Sequence, residues 1–287
     1  MPTKLWSCTP TKLTTWSQCP RRYLFTYLDR RAKGAPWAHN SVGLSAHNAL
    51  RDWFVSLPSD RRTPSAAADF VTRNWIDRGF RDDAQSLQWR DRTADMTSSY
   101  AATLDPADEP IGVERQVSAP VGRLALSGRV DRIDLRPDGD AEQVVIVDYK
   151  TGRRSLTEDD VKSSLALAVY VVAARRTLRR PARRAELHHL PTGTVVAHDF
   201  SEEQLDRHVQ RMNDIAVEAQ GAEHAWRNGL GERAVAAGDG ELEAIQEIDA
   251  VFSPRPSTSC SWCDVRQWCP EGRTASVTIE PWAALGD

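Results

Sequence analysis

Apolar residues recur at helical spacing in the first third of the chain and at alternate positions through its middle. In "TPTKLTTWSQCPRRYLFTYLDR", Leu13, Trp16, Tyr23, Leu24 and Tyr27 predict a helix over 11–30, which Thr11 can cap. A second predicted helix, over 42–56, puts Leu44, His47, Leu50 and Phe54 on one stripe, and a third, over 66–80, is followed by a polar helical stretch through Tyr100. The pattern then changes period. "IGVERQVSAPVGRLALSGRVDRIDLRP" predicts two or more antiparallel strands, and "EQVVIVDYK" a further one, joined by the turn "PDGD". Thr157 with Asp160 resembles a capping box opening a long apolar helix through Leu178. "AELHHL" and "TVVAHDF" around "PTG" predict a hairpin, and Ser201 starts another helix reaching about Arg227. The stretch 229–240 is the best linker candidate, and the tail "FSPRPSTSCSWCDVRQWCPEG" reads as loop. Helices, then strands, then helices again argue for an α/β fold, a mixed sheet with helices packed on it, in one domain.

Composition narrows the function classes. The chain has 287 residues, 40% of them hydrophobic, enough for a proper core. A formal charge of −3 excludes a uniformly basic nucleic-acid coat, so any nucleic-acid contact must come from local patches. No window approaches the ~20 apolar residues of a membrane span. The start "MPTKLWSCTP" lacks the apolar run of a signal peptide, so a soluble, cytoplasmic chain without membrane partners is expected. Five cysteines in such a setting point to metal binding or reactive thiols before disulfides.

The apolar strands are interrupted by carboxylates. In "VVIVDYK", Asp148 and Lys150 are two apart and share a face, while Val145 and Val147 point the other way, toward a core. A hairpin can set Asp131 of "GRVDRIDL" beside Asp148. Adjacent carboxylates repel unless a cation lies between them, and a hard divalent ion such as Mg²⁺ is the natural one. Lys150 would then stabilise negative charge on a reacting phosphate. The ordinary alternative is an exposed Asp–Lys pair worth only ~0.2–1 kcal/mol. His47 lies on the apolar stripe of its helix, as a ligand or as a hydrogen-bonded core histidine.

Cys260, Cys263 and Cys269 form C-x2-C-x5-C, and a fourth thiolate must come from elsewhere; Cys19 in "WSQCPRR" is the candidate ahead of Cys8. Zinc and a [4Fe–4S] cluster both fit four thiolates, and spacing does not decide between them. "ARRTLRRPARR" carries six arginines over 175–184, either complementing a helix C-terminus or binding phosphate. Trp262 and Trp268 either stack on bases or pack the cysteine region.

Taken in order, "SQCPRRYLFTYL", "VGLSAHNAL", "GRVDRID", "VIVDYKTG" and "CSWCDVRQWCPEG" resemble the RecB-like exonucleases of the PD-(D/E)XK nuclease superfamily, in particular the iron–sulfur branch that includes AddB and the CRISPR-associated nucleases. The resemblance implies a restriction-endonuclease-like core over about 40–200 within a single domain, 1–287. The helix 11–30 and the tail 250–275 would form the cluster region. It implies that His47, Asp131, Asp148 and the Tyr149 backbone carbonyl hold a catalytic Mg²⁺ or Mn²⁺, with Lys150 as the signature lysine. Glu114 matches an acidic position without an assigned role. Cys19, Cys260, Cys263 and Cys269 match the ligands of a [4Fe–4S] cluster, with Zn²⁺ the alternative. Arg21 and Arg22 would lie near the nucleic-acid path. Tyr170 matches a helix tyrosine, but Ala166 stands where the family carries glutamine. The implied activity is metal-dependent hydrolysis of DNA, as an exonuclease on single strands or free ends in repair or recombination. The competing expectation is a single-strand-binding module that grips DNA without cutting it. No G-x-x-x-x-G-K-[ST] loop occurs, so a helicase motor would be a separate partner.

Overall fold

The computed structural model describes residues 5–237 and 242–286. Strand β1 (Trp6–Cys8) leads into helices α1 (Pro10–Gln18) and α2 (Pro20–Tyr23), followed by a π-turn over Leu24–Leu28. Next come α3 (Ala38–Ser56), α4 (Pro64–Arg73) and α5 (Asp83–Ala101), then strands β2 (Gly112–Val121), β3 (Leu124–Asp138) and β4 (Ala141–Lys150). Helices α6 (Glu158–Lys162) and α7 (Leu165–Leu178) precede strands β5 (Ala182–His189) and β6 (Thr194–Asp199). Helices α8 (Glu202–Ala225), α9 (Gly231–Ala237), α10 (Leu242–Val251) and α11 (Pro270–Ala275) complete the chain.

The chain divides into two compact units. One comprises 36–119, 126–208 and 281–287 and holds a mixed α/β fold. Its strands β3, β4, β5 and β6 are neighbours in that order, and β2 pairs with β3. β3 and β4 are antiparallel, with Asp138 opposite Ala141, so the turn is only Gly139–Asp140; Gly139 takes a φ of +63°, where a side chain would be strained. β4 and β5 are parallel, which demands a crossover, and α6 and α7 supply it. β4 is accordingly buried on both faces, and Val144 to Val147 are all fully buried. Val145, Val147 and Tyr149 pack with Ala46 and Leu50 of α3 and with Tyr100 of α5. On the same face, a buried polar network runs from Tyr100 to His188 (2.6 Å), Glu186 (2.9 Å) and Arg136 (2.9 Å), and Arg136 reaches Asp134 and so Arg132.

The other unit comprises 1–35, 120–125 and 209–280. Here Trp6 pairs with Arg123 at the β2–β3 tip, and Tyr23, Trp16 and Phe252 stack edge to face. Lys12 and the Tyr23 hydroxyl converge on the buried Glu223.

Several boundaries depart from the periodicity. The expected helix over 11–30 is broken at Cys19, because Pro20 biases its predecessor to extended backbone (φ −161°, ψ 107°) and the π-turn follows. Thr9, not Thr11, accepts the capping hydrogen bond, with Pro10 preset for the first turn. The expected helix 66–80 ends at Arg73. The Thr157–Asp160 box caps only the short α6; Ser164 caps α7 separately through Leu167 N. The hairpin around Pro191–Gly193 is present. The expected linker, 229–240, is helical from Gly231 to Ala237, and 238–240 fall outside the described residues. The tail is short 3₁₀ turns and α11. Among the described residues, no helix is long and apolar enough to cross a membrane.

Candidate active site

The site lies at the carboxyl end of β4, where the strand order places open backbone ends. Arg132 is opposite Val147, so one step further along the ladder sets Asp131 beside Asp148. The Tyr149 amide donates to Asp131 Oδ2 at 2.8 Å, which fixes that carboxylate against the neighbouring strand. From α3, His47 brings Nδ1 to 3.4 Å from Asp131 Oδ1 and to 4.0 Å from Glu114 Oε1. Ala46 and Leu50, on either side of it in sequence, anchor that helix to the β4 core. Arg129 holds the far oxygen of Glu114 at 2.8 Å.

Among the described residues, His47, Glu114 and Asp131 are the one group of three or more metal-binding side chains whose donor atoms all lie within 4.8 Å of one another. A nitrogen with two carboxylates is a donor set suited to a divalent cation. Asp148 stands beside this group and not within it, its Oδ2 2.5 Å from Lys150 Nζ. That oxygen is buried and forms a close ion pair with Lys150.

Electrostatics bear the arrangement out. Burial works against protonation of His47, yet Asp131, Asp148 and Glu114 together outweigh it and raise its pKa. Burial, with Asp131 adding repulsion, raises Asp148 against the opposing pull of Lys150. Burial and Asp131 likewise push Glu114 up. For Lys150, burial is opposed by Asp148 and Asp131, and the ammonium form is favoured. Three carboxylates crowd one partly buried volume, a repulsion that a bound cation relieves.

Residues 7–270 match the PD-(D/E)XK nuclease superfamily. The chain belongs to that superfamily. Over 100 residues this PD-(D/E)XK chain is 34% identical to one subunit of an ATP-dependent helicase/deoxyribonuclease from Desulforudis audaxviator (strain MP104C), a match spanning 30% of this chain and only 8% of that protein. Among solved structures, that of SSO0001 shares 13% identity with a TM-score of 0.33, over 95% of this chain and 87% of that one.

Other expected residues fall into place around this PD-(D/E)XK site or away from it. Tyr170 of α7 is half-buried, and its pKa is pushed up to about 12 by burial and then by Asp148 and Asp131. Ala166, on the same helix, lines a cavity of about 310 Å³ with Asp148 and Lys150. Within the other unit, Cys19, Cys260, Cys263 and Cys269 all line one cavity of about 240 Å³, and Cys8 does not. No three of the five sulfurs lie within 4.8 Å of one another. Burial raises Cys269 to about 11 and pushes Cys263 up. Gly272 packs so close that a Cβ there would lie 3.4 Å from Cys269 Sγ.

Arg21 is buried, with Nε on the Phe252 carbonyl at 3.1 Å and an ion pair to Asp249; Arg22 pairs with Asp264 at 2.8 Å. Trp268 donates to the Ala32 carbonyl at 2.7 Å beneath Arg31, while Trp262 and Trp268 each stay about 40% exposed. In the arginine run, Arg175, Arg180, Arg183 and Arg184 are each paired with a carboxylate. Glu114, matched by resemblance as an acidic position without a role, stands with His47 and Asp131, and its backbone sits at φ +47°, a left-handed conformation rare for glutamate. Apart from that resemblance, its local sequence signal is an acid directly before Arg115 on a strand, which is commonplace.

Proposed function

We propose that this chain is a Mg²⁺- or Mn²⁺-dependent deoxyribonuclease, an exonuclease that prefers single strands or frayed ends and serves DNA repair or recombination in the cytoplasm. The observation that carries the reading is the convergence of His47, Glu114 and Asp131 on one volume beside Asp148 and Lys150. His47, Asp131, Asp148 and the Tyr149 carbonyl are the ligand set, and Glu114 joins it. A divalent cation there would lower the pKa of a water and neutralise phosphate charge. Asp148 and Asp131 keep Lys150 charged, so its ammonium meets the charge that develops on the phosphate. Tyr170 positions the strand, and Arg22, less buried than Arg21, is the better placed of that pair for a phosphate. The similarity to a component of a helicase/deoxyribonuclease supports DNA as substrate and a separate helicase as partner.

The test is digestion of end-labelled single- and double-stranded DNA with and without Mg²⁺ or Mn²⁺. Asp148→Ala and Lys150→Ala should each lower the rate at least ~10²-fold, the scale of losing one charge-stabilising group. Wild type and both variants degrading DNA at the same rate would overturn the reading, and tight DNA retention without cleavage under any metal would leave a binding module.

For Cys19, Cys260, Cys263 and Cys269 we propose a [4Fe–4S] cluster. Their shared cavity supports this, and the resemblance of Cys19 and the C-x2-C-x5-C tail to the iron–sulfur nucleases favours the cluster over zinc. The units 1–35 with 209–280 and the 40–200 core would then act as one nuclease domain over 1–287. Anaerobically purified protein should be brown with broad absorption near ~400 nm, and Cys260→Ser should abolish the colour. Colourless protein with stoichiometric zinc would refute the cluster.

A further inference from the structure

Beside the acidic group lies a cavity of about 510 Å³ that the chemistry above does not use. His47, Tyr149 and Lys150 line it, so it opens directly onto the candidate active site. Its walls are apolar: Val42 and Leu44 from α3, Leu285 from the chain end, and the indole of Trp89 from α5. Val42 and Leu285 are buried in one cluster with Ala38, against which Trp89 packs, so this wall is preformed. Leu44 by contrast is 47% exposed where it lines the cavity. Asn40 adds an amide at the edge, and the exposed Arg153 adds a cation beyond Lys150.

We infer that this cavity binds the base of one unpaired nucleotide, adjacent to the phosphate that Lys150 meets. The inference rests on the nuclease reading and names what its substrate must present. The volume falls in the range of about 300–1,000 Å³ that buries a small organic ligand. A flat aromatic base matches an indole and aliphatic walls, and such stacking tolerates any base. The two cations sit where the phosphates flanking that base would run. Asn40 can donate to or accept from a base edge without selecting one. A base inside a duplex has both faces stacked and its pairing edge occupied, so it must be extruded before it can enter. An unpaired base is ready. Preference for single strands then follows from the cavity and needs no separate strand-sensing element.

The experiment measures binding of the full chain to fluorescein-labelled deoxytetramers in Ca²⁺, comparing four bases with an abasic tetramer of equal charge, alongside a hairpin duplex. Wild type should bind the base-bearing tetramer about tenfold more tightly than the abasic one. Leu44→Gln, on an exposed helix position, should shrink that ratio at least threefold without moving the thermal midpoint, and Trp89→Ala should shrink it further. Equal binding of both tetramers by wild type, or a ratio unchanged in Leu44→Gln, overturns the inference. Cleavage is read in parallel with Mg²⁺. Cutting without base preference refutes the cavity alone; base preference without cutting refutes the nuclease reading and leaves the cavity standing.

Discussion

Glu114 sits in a left-handed backbone conformation within β2, at a cost of about 1–2 kcal/mol for a residue with a Cβ. The kink comes with a carboxylate set beside His47 and Asp131. Glu114→Gly should therefore raise the unfolding free energy by about 1 kcal/mol in chemical denaturation while removing a ligand. Glu114→Gln keeps the strain and should weaken Mn²⁺ binding about 10- to 100-fold by calorimetry. A Gln variant with wild-type Mn²⁺ affinity would take Glu114 out of the site. The contrast shows what is legible. His47, Asp131, Asp148 and Lys150 can be picked out because each interrupts an apolar run, where an unpaired polar group is costly. Glu114 is reached only through the family resemblance, because the alternation around "GVERQV" is that of an ordinary half-exposed strand and a φ angle leaves no trace in it. Arg21 misleads for a related reason: a guanidinium beside a cysteine suggests phosphate, but only the fold reveals Asp249 and the Phe252 carbonyl within its reach.

Single elements are where periodicity succeeds most and where its failures are instructive. The run "VVIV" in β4 predicts one buried face; the parallel partner β5 and the crossover helix α7 bury the second as well. The apolar helix after Lys150 is split because Ser164 turns its hydroxyl to Leu167 N and starts α7 afresh, a local hydrogen bond that hydrophobic spacing does not register. Helix α3 meets the loop after β4 through Gly43, where a Cβ would lie 3.2 Å from Thr151 Oγ1. Gly43→Ala thus sets two effects against each other. Alanine in a helix gains up to about 1 kcal/mol over glycine, but Thr151 must move, and Thr151 directly follows Lys150. The expected result is a thermal midpoint equal to or above wild type with cleavage of end-labelled DNA several-fold slower. Adding Thr151→Ala should restore the rate. Equal slowing in the single and double variants would show that the threonine contact is not the cause.

Across the whole molecule, the charges that suggest a nucleic-acid surface are largely spent on internal pairing. Arg184 and Arg136 both reach Glu186, whose pKa is held down at about 2: burial alone would raise it, but His188, Arg184 and Arg136 outweigh that. His188 is also lowered, burial chiefly disfavouring its charged form, with Arg132 and Arg136 adding repulsion. Both shifts act with the same sign. Between the folded and unfolded pKa values, the unfolded chain binds more protons at each group, so stability rises with pH. For His188 the loss begins as pH falls below about 6.5, and for Glu186 it runs from about 4.5 down toward 2. Glu223 in the other unit, depressed by Lys12 and Tyr23 despite its burial, adds to the acid arm. These groups should make the thermal midpoint fall from pH 7 to pH 4, against the opposite contribution of His47, Glu114 and Asp148, whose raised pKa values favour the folded state as pH falls. Glu186→Gln should cost about 2 kcal/mol at pH 7, below the 3–5 of a fully buried broken pair because Arg136 and Arg184 stay 38% and 33% exposed. The same variant should also flatten the decline below pH 4.5, because the group that titrates there is gone. Calorimetric scans of wild type and variant across that range give both numbers at once. Parallel acid limbs in the two proteins would mean that Glu186 is not the carboxylate holding the buried network together.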